Sequence, residues 1–219
     1  MEEDPIGIKC VLLGESGTGK SSLIERFINN TFRKDTPSTL IGSFSSKVVY
    51  YEKENIKIRY DIWDTAGQEK YRSINKIFYQ DAQVTLLVYD ITQKETYDAI
   101  KNYWFQEVKD NAPEDVIVFI VGNKSDIYEK EAVNEEEARQ YAKDINALYK
   151  LVSAENGDGI NEIFKMIGER MLTQEFLEKI KNEKNNNNDN NNSTNNNKNT
   201  IKNISIEDNK GQKKKKKCC

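Results

Sequence analysis

The sequence predicts an α/β fold, a mostly parallel six-stranded sheet with helices on both faces, and three observations carry that prediction. Strand-like and helical patterns alternate along the first 180 residues. The runs Ile6 to Leu13 and Val84 to Asp90 are largely apolar, as strands covered on both faces require. A glycine-studded loop in the stretch LLGESGTGKSSL stands between the first strand and the first helix, the setting in which such loops cradle phosphate.

The elements follow in order. Ile6 to Leu13 reads as the first strand. After it come Gly14, four residues, then Gly19, Lys20 and Ser21, a spacing in which glycines let the backbone wrap phosphate with its N–H groups inward. The candidate nucleotide-binding segment is Gly14, Glu15, Ser16, Gly17, Thr18, Gly19, Lys20, Ser21 and the adjoining Ser22. Lys20 is expected against the outer phosphates and the Ser21 hydroxyl on magnesium, while the helix Ser21 to Phe27 aims its positive end at the anion. Lys47 to Tyr51 and Ile56 to Trp63, joined by a short polar turn, read as a hairpin that adds one antiparallel edge. Buried strands are expected at Val84 to Asp90, Val116 to Gly122 and Tyr149 to Val152, with helices at Glu95 to Lys109, Glu135 to Asp144 and Ile160 to Glu178. No internal repeat is visible.

Composition divides the 219 residues into a domain and a tail. From Asn182 to Asn203 the chain is mostly asparagine and offers almost nothing to a core, so it reads as a disordered tether, or as filler with no task beyond length. Residues 181 to 219 hold ten lysines against four acidic residues, so of the net −3 the tail carries +6 and the first 180 residues −9. That argues against nucleic acid as a partner of the globular part and for an anionic surface as a partner of the tail. The three cysteines, Cys10, Cys218 and Cys219, form neither a disulfide framework nor a zinc spacing, as expected in a reducing cytosol. The start MEEDPIGIKC has no basic region followed by an apolar stretch, and no run reaches about 18 apolar residues. A chain neither secreted nor membrane-spanning is expected.

Two further motifs narrow the ligand. NKSD places Asn123, Lys124 and Asp126 directly after a strand. A carboxylate there can accept both N–H groups on guanine's Watson–Crick edge, and a site built for such donors rejects a base that lacks them. DTAGQE begins with Asp64 at a strand end, where a carboxylate can hold magnesium through water; the Gly67 N–H can reach the terminal phosphate and Gln68 can orient an attacking water.

GESGTGKS, DTAGQE, NKSD and the Ser-Ala of Val152-Ser153-Ala154 together resemble, in order, the guanine-nucleotide motifs of the Ras superfamily of small GTPases, over about residues 6 to 178. The resemblance implies a Ras-like G domain of the phosphate-loop NTPase class over residues 1 to 180, with a linker at 181 to 212 and an anchor at 213 to 219. Within the superfamily the chain looks like a Rab: WDTAGQEKYRSI, LLVYDIT and the final two cysteines are typical, and STLIGSF and CVLLGE look like the endosomal branch. It implies GTP and GDP as ligands, Mg²⁺ as cofactor, and hydrolysis of GTP to GDP and phosphate. An exchange factor, a GTPase-activating protein, a GDP-dissociation inhibitor and effectors are the implied partners. Thr39 falls at the position that binds magnesium and the terminal phosphate, and Phe32 at the aromatic that stacks on guanine. Ser153, Ala154 and Glu155 match the segment whose backbone meets the guanine oxygen, and Phe44, Trp63 and Phe78 an aromatic triad presented to effectors, although aromatics beside a sheet also serve as core. Three departures stand out: Thr39-Leu40-Ile41-Gly42 replaces Thr-Ile-Gly, Glu155 stands where the family has a lysine stem over the base, and Ser16 is not glycine.

At the other end, KKKKKCC combines a basic patch with two candidate lipid sites, and a stable anchor takes two such signals. The resemblance implies a geranylgeranyl group on each of Cys218 and Cys219, holding the protein on the cytoplasmic face of an intracellular membrane between cycles through the cytosol. Three alternatives remain: a non-hydrolysing GTP-binding scaffold, which Gln68 opposes; a phosphate-loop kinase, which NKSD opposes; and a Ras-type signalling GTPase, whose ending would be Cys-a-a-X.

Overall fold

The sheet is organised around β1 (Ile6–Leu13), which pairs in parallel with β3 (Ile56–Asp64) on one side and β4 (Val84–Asp90) on the other. In the computed structural model, which describes residues 4–35, 37–39, 42–67 and 77–173, β5 (Ile117–Asn123) and β6 (Leu148–Leu151) extend it beyond β4. β2 (Ser43–Tyr51) closes the opposite edge, antiparallel to β3. The order β2-β3-β1-β4-β5-β6, five strands parallel and one not, is the predicted fold class of a Ras-like G domain. These strands belong to a unit spanning Met1–Arg170.

Alternation along β1 assigns the two faces. Val11 and Leu13 join a core with Leu87 and Tyr89 of β4, Ile120 of β5 and the buried side of the segment after β4. Residues of the opposite parity, Ile8, Cys10 and Leu12, are buried as well. On that second face Phe27 of α1 (Lys20–Asn29) stacks on Phe164 with centroids 3.5 Å apart, and Tyr60 meets both rings edge-on. All seven residues of β4 are buried, which is why that run carries no polar alternation.

Several boundaries differ from the sequence expectation. β2 starts at Ser43, four residues before the apolar run, because the backbone ladder with β3 continues to Ser43 opposite Asp64 and Ser46 donates to Asp61 Oδ1 at 3.0 Å. β5 and β6 each begin and end within a residue of the expected bounds. The expected helix from Glu95 to Lys109 is three pieces, α2 (Lys94–Ala99), a π-helical turn (Ile100–Trp104) and α3 (Phe105–Asn111). A 3₁₀ turn over Ser125–Lys130, not expected from the pattern, follows β5. α4 (Glu135–Asp144) is capped by Asn134, which accepts from the Glu137 N–H at 3.0 Å. α5 (Ile160–Met171) starts as expected, and the remainder of that helix beyond residue 173 lies outside the described residues. Among the described residues no helix is long and apolar enough to cross a membrane.

Candidate nucleotide-binding site

The loops at the carboxyl ends of β1, β3, β5 and β6 border one cleft of about 460 Å³, the location expected of a ligand site in an open α/β sheet. Most of the residues expected from the sequence line it; Gly14, Glu15, Thr18 and Ser153 are not part of its lining, and Asp64 lines an adjoining pocket with Ser21 and Ser22.

The phosphate loop can take its path only with glycine at two points. Gly14 has φ +139° and a Cβ there would lie 2.2 Å from the Val88 carbonyl oxygen; Gly19 has φ +90° and its Cβ would lie 2.3 Å from Asn123 Nδ2. Gly19 also precedes α1 without a side-chain cap, so the first-turn N–H groups have no hydroxyl or carboxylate from that position. Lys20 turns back under the loop, where its buried ammonium donates to Gly14 O at 2.8 Å and Glu15 O at 2.9 Å. Burial pushes its pKa down to about 8 despite the nearby carboxylates of Asp64 and Glu15. An anion entering the loop would thus meet a cation already stripped of most of its water.

At the mouth of α1, Ser21 Oγ donates to Asp64 Oδ2 at 2.5 Å and lies 2.8 Å from Thr39 Oγ1, which itself reaches the same Oδ2 at 3.3 Å. The other Asp64 oxygen, Oδ1, is buried without a hydrogen-bond partner, and burial is the main cause of the raised pKa of this carboxyl. Two hydroxyls and a carboxylate at this spacing, with one lone carboxylate oxygen, are hard oxygen donors that fit a small divalent cation such as Mg²⁺. Thr65 anchors the strand end by donating to Leu12 O at 2.6 Å, and Gly67 runs so close to the phosphate loop that a Cβ would lie 2.5 Å from the Glu15 carbonyl carbon. Gln68 lies outside the described residues, as do Leu40 and Ile41.

The end of the cleft where the base is expected is built on Asn123. Its Nδ2 donates to Thr18 O at 2.8 Å and its Oδ1 accepts from the Ala154 N–H at 3.1 Å, so one buried amide ties the phosphate loop to the 153–155 loop. Lys124, in the left-handed region at φ 70°, pairs with the buried Asp90 carboxylate at 2.6 Å. Ser153 Oγ donates to Asp126 Oδ1 at 2.5 Å, fixing that carboxylate on the cleft wall beside Ala154 and Glu155. Phe32 lines the same end.

Sequence reasoning passed over three residues that hold this site. Arg26 of α1 reaches the Ala154 carbonyl with Nε at 3.0 Å, and Trp104 in the π-helical turn donates from Nε1 to Glu15 Oε1 at 3.0 Å. Asp90 sits in the quoted LLVYDIT, yet nothing in that string marks it as the partner of Lys124. The aromatic residues Phe44, Trp63 and Phe78 do come together, with centroids 5.1 and 5.5 Å apart in sequence. Trp63 and Phe78 also pack on the core, whereas Phe44 is 53% exposed.

The sequence model of the Ras family matches residues 9–173, which takes in every loop of the cleft. Human Ras-related protein Rab-22A is 39% identical over 164 residues, covering 75% of this chain and 83% of that protein. Ras-related protein RabJ of Dictyostelium discoideum is 38% identical over 182 residues, 81% of this chain and 70% of that one. The chain belongs to the Ras family, among its Rabs. GTP-binding protein YPT52 of Saccharomyces cerevisiae, 35% identical over 190 residues and covering 74% and 81% of the two chains, is similar as well. As a Rab this protein is a small GTPase, a guanine-nucleotide switch that works with regulators and effectors in membrane traffic.

Proposed function

We propose that this Rab grips guanine nucleotide through the residues named above and hydrolyses GTP slowly, with Gln68 orienting the water that attacks the terminal phosphate. The observation that carries the reading is the pairing of two ends of one cleft: Lys20, Ser21 and Thr39 at one, with the Asp64 carboxylate bonded to both hydroxyls from the adjoining pocket, and Asp126 fixed by Ser153 at the other. Mg²⁺, held by Ser21, Thr39 and Asp64, would neutralise charge on the phosphates. Lys20 and the loop N–H groups bind the phosphates, Phe32 covers the base, Asp126 accepts from the guanine edge, and Thr39 closes when the terminal phosphate is present. Asn123 and Lys124 hold the loops that carry these groups.

Turnover by the chain alone is slow on this reading, because an activating protein's arginine accounts for about 10⁵-fold in Ras-type enzymes. An exchange factor and a GDP-dissociation inhibitor complete the cycle, and effectors meet Phe44, Trp63 and Phe78. We take residues 1–180 as the GTP-binding domain, 181–212 as linker and 213–219 as an anchor prenylated on Cys218 and Cys219. The segment beyond residue 173 lies outside the described residues. The likeness of STLIGSF and CVLLGE to endosomal Rabs supports an endosomal membrane as the site of action.

Binding of GTP, GDP and ATP to the purified protein, followed by single-turnover hydrolysis with Mg²⁺, tests the reading. Strong preference for guanine nucleotides with slow release of phosphate is expected. Equal affinity for ATP would end it, and GTP binding without hydrolysis would turn it into a scaffold.

A further inference from the structure

Lys34 and Glu155 stand on opposite lips of the cleft and meet across it, Nζ to Oε1 at 3.2 Å. The lips are also joined at their roots. Arg26, in the last turn of α1, donates from Nη1 to Asn30 O at 3.0 Å, where the segment leading to Lys34 leaves the helix. The same guanidinium donates from Nε to Ala154 O at 3.0 Å and from Nη2 to Glu155 O, at the base of the other lip. Phe32, on the cleft wall, lies in the chain between the root at Asn30 and the tip at Lys34. An ion pair between two long exposed side chains ordinarily gains little, because holding both in one geometry costs rotamer freedom. Here one buttress holds backbone at the root of each lip, so the two side chains start from anchored segments, while each still gives up its own rotamers. The side chains are 76% and 45% exposed, so the pair stays open to salt.

We infer that Lys34 and Glu155 form an ionic clasp across the base end of the cleft that sets the rate at which bound nucleotide leaves. The inference rests on the guanine-nucleotide reading above. The clasp occupies a place that Glu155 alone, a short acidic stem, would leave uncovered, and it runs from the base-binding loop to the segment that continues to Thr39. Nucleotide leaving past Phe32 requires the two lips to part, so breaking the pair speeds release. Arg26 is a positioning residue in this arrangement and touches no nucleotide.

The test is the release of fluorescent GDP from the full-length protein, chased with excess GDP, for wild type, Lys34→Gln, Glu155→Gln and the double variant. Both substitutions are at exposed positions, and unfolding midpoints with bound GDP check that the fold is intact. Each single variant should release GDP about 1.5- to 5-fold faster, the range that exposed ion pairs support. The double variant should release no faster than the quicker single one, the non-additivity of residues that act as a pair. Raising salt from about 0.1 M to about 1 M shortens the screening length from about 10 Å to about 3 Å, so wild-type release should accelerate more than that of the double variant. Unchanged single-variant rates, additive effects, or equal salt dependence in all four proteins would overturn the clasp while leaving the nucleotide reading in place. Failure of the wild type to bind fluorescent GDP at all would overturn both.

Discussion

Asn123→Ala tests whether this side chain is a strut of the fold or only a contact to nucleotide. The amide is buried and both of its ends are used inside the chain, Nδ2 on Thr18 O at 2.8 Å and Oδ1 on the Ala154 N–H at 3.1 Å. Removing it orphans one buried acceptor and one buried donor, each at a cost of about 1–3 kcal/mol, so about 2–6 kcal/mol should be lost. Against a total of about 5–15 kcal/mol that is a large fraction. In a domain of this size the melting temperature should fall by about 2–4 °C for each kcal/mol. The deciding measurement is urea unfolding of protein stripped of nucleotide, because ligand stabilises by mass action and adds its own difference when present. A strut predicts a full gap between wild type and variant in the stripped state, widened further by GDP. Equal midpoints in the stripped state, with a gap appearing only when GDP is added, would refute the internal role.

Three other outcomes follow from the structure and a fourth from the sequence of the tail. Asp126→Asn should weaken GDP binding and relax the choice of guanine over adenine while the melting temperature of the stripped protein stays near wild type, since an amide oxygen can still accept from Ser153; unchanged selectivity would remove Asp126 from base reading. Gly168→Ala should destabilise the fold, because its Cβ would lie 1.9 Å from Tyr51 Oη and 2.7 Å from the buried Tyr60 Oη, whose hydroxyls both donate to Phe164 O; a gain of about 1 kcal/mol, the helix-propensity effect alone, would refute this. Burial holds the Lys20 pKa at about 8 against 10.5 when exposed, so between those values the unfolded chain keeps a proton that the folded one has released. The stability contributed by this group in stripped protein should therefore rise with pH across that window, by an amount on the order of 3 kcal/mol, and a Lys20→Met control should not show the rise. Changing Cys218 and Cys219 to serine should move the protein from membrane to cytosol on fractionation, since five lysines alone seldom anchor a protein; persistence on membranes would refute the lipid sites.

The sheet was legible in the sequence because burial on two faces leaves a plain mark. VTLLVYD is apolar but for Thr85 and its final aspartate, and all seven residues are buried. The phosphate loop was legible because Gly14 and Gly19 sit where backbone or amide atoms come within 2.3 Å of a hypothetical Cβ, so other residues cannot stand there. The start of β2 was not, because an edge ladder needs only backbone groups, and Phe44 alone among three serines is a weak strand signal. Nor was the π-helical turn, since Tyr97, Ile100, Trp104 and Val108 keep the spacing of an ordinary buried helix stripe. Arg26 and Trp104 escaped for another reason: their partners lie 128 and 89 residues away, and an arginine or tryptophan on a helix gives no hint of which distant carbonyl or carboxylate it will meet.

The bonds around the cleft divide it into two kinds of wall. The base end and the phosphate loop are held from behind by side chains spent on main-chain oxygens and nitrogens: Lys20 on Gly14 and Glu15, Asn123 on Thr18 and Ala154, Arg26 on Ala154. On the proposed reading a ligand need not break these bonds to bind, so this wall is expected to stay as it is. Thr39 is held differently. Its hydroxyl meets Ser21 Oγ and Asp64 Oδ2, the same oxygens that fit a divalent cation, so a cation bound there competes for the bonds that hold Thr39 and must supply a ligand bond in their place. On the proposed reading the position of Thr39 is therefore set by what occupies the magnesium and terminal-phosphate end, while base recognition is not. A switch needs that division: a grip that stays constant through the cycle, and one hydroxyl whose partner changes with the phosphate.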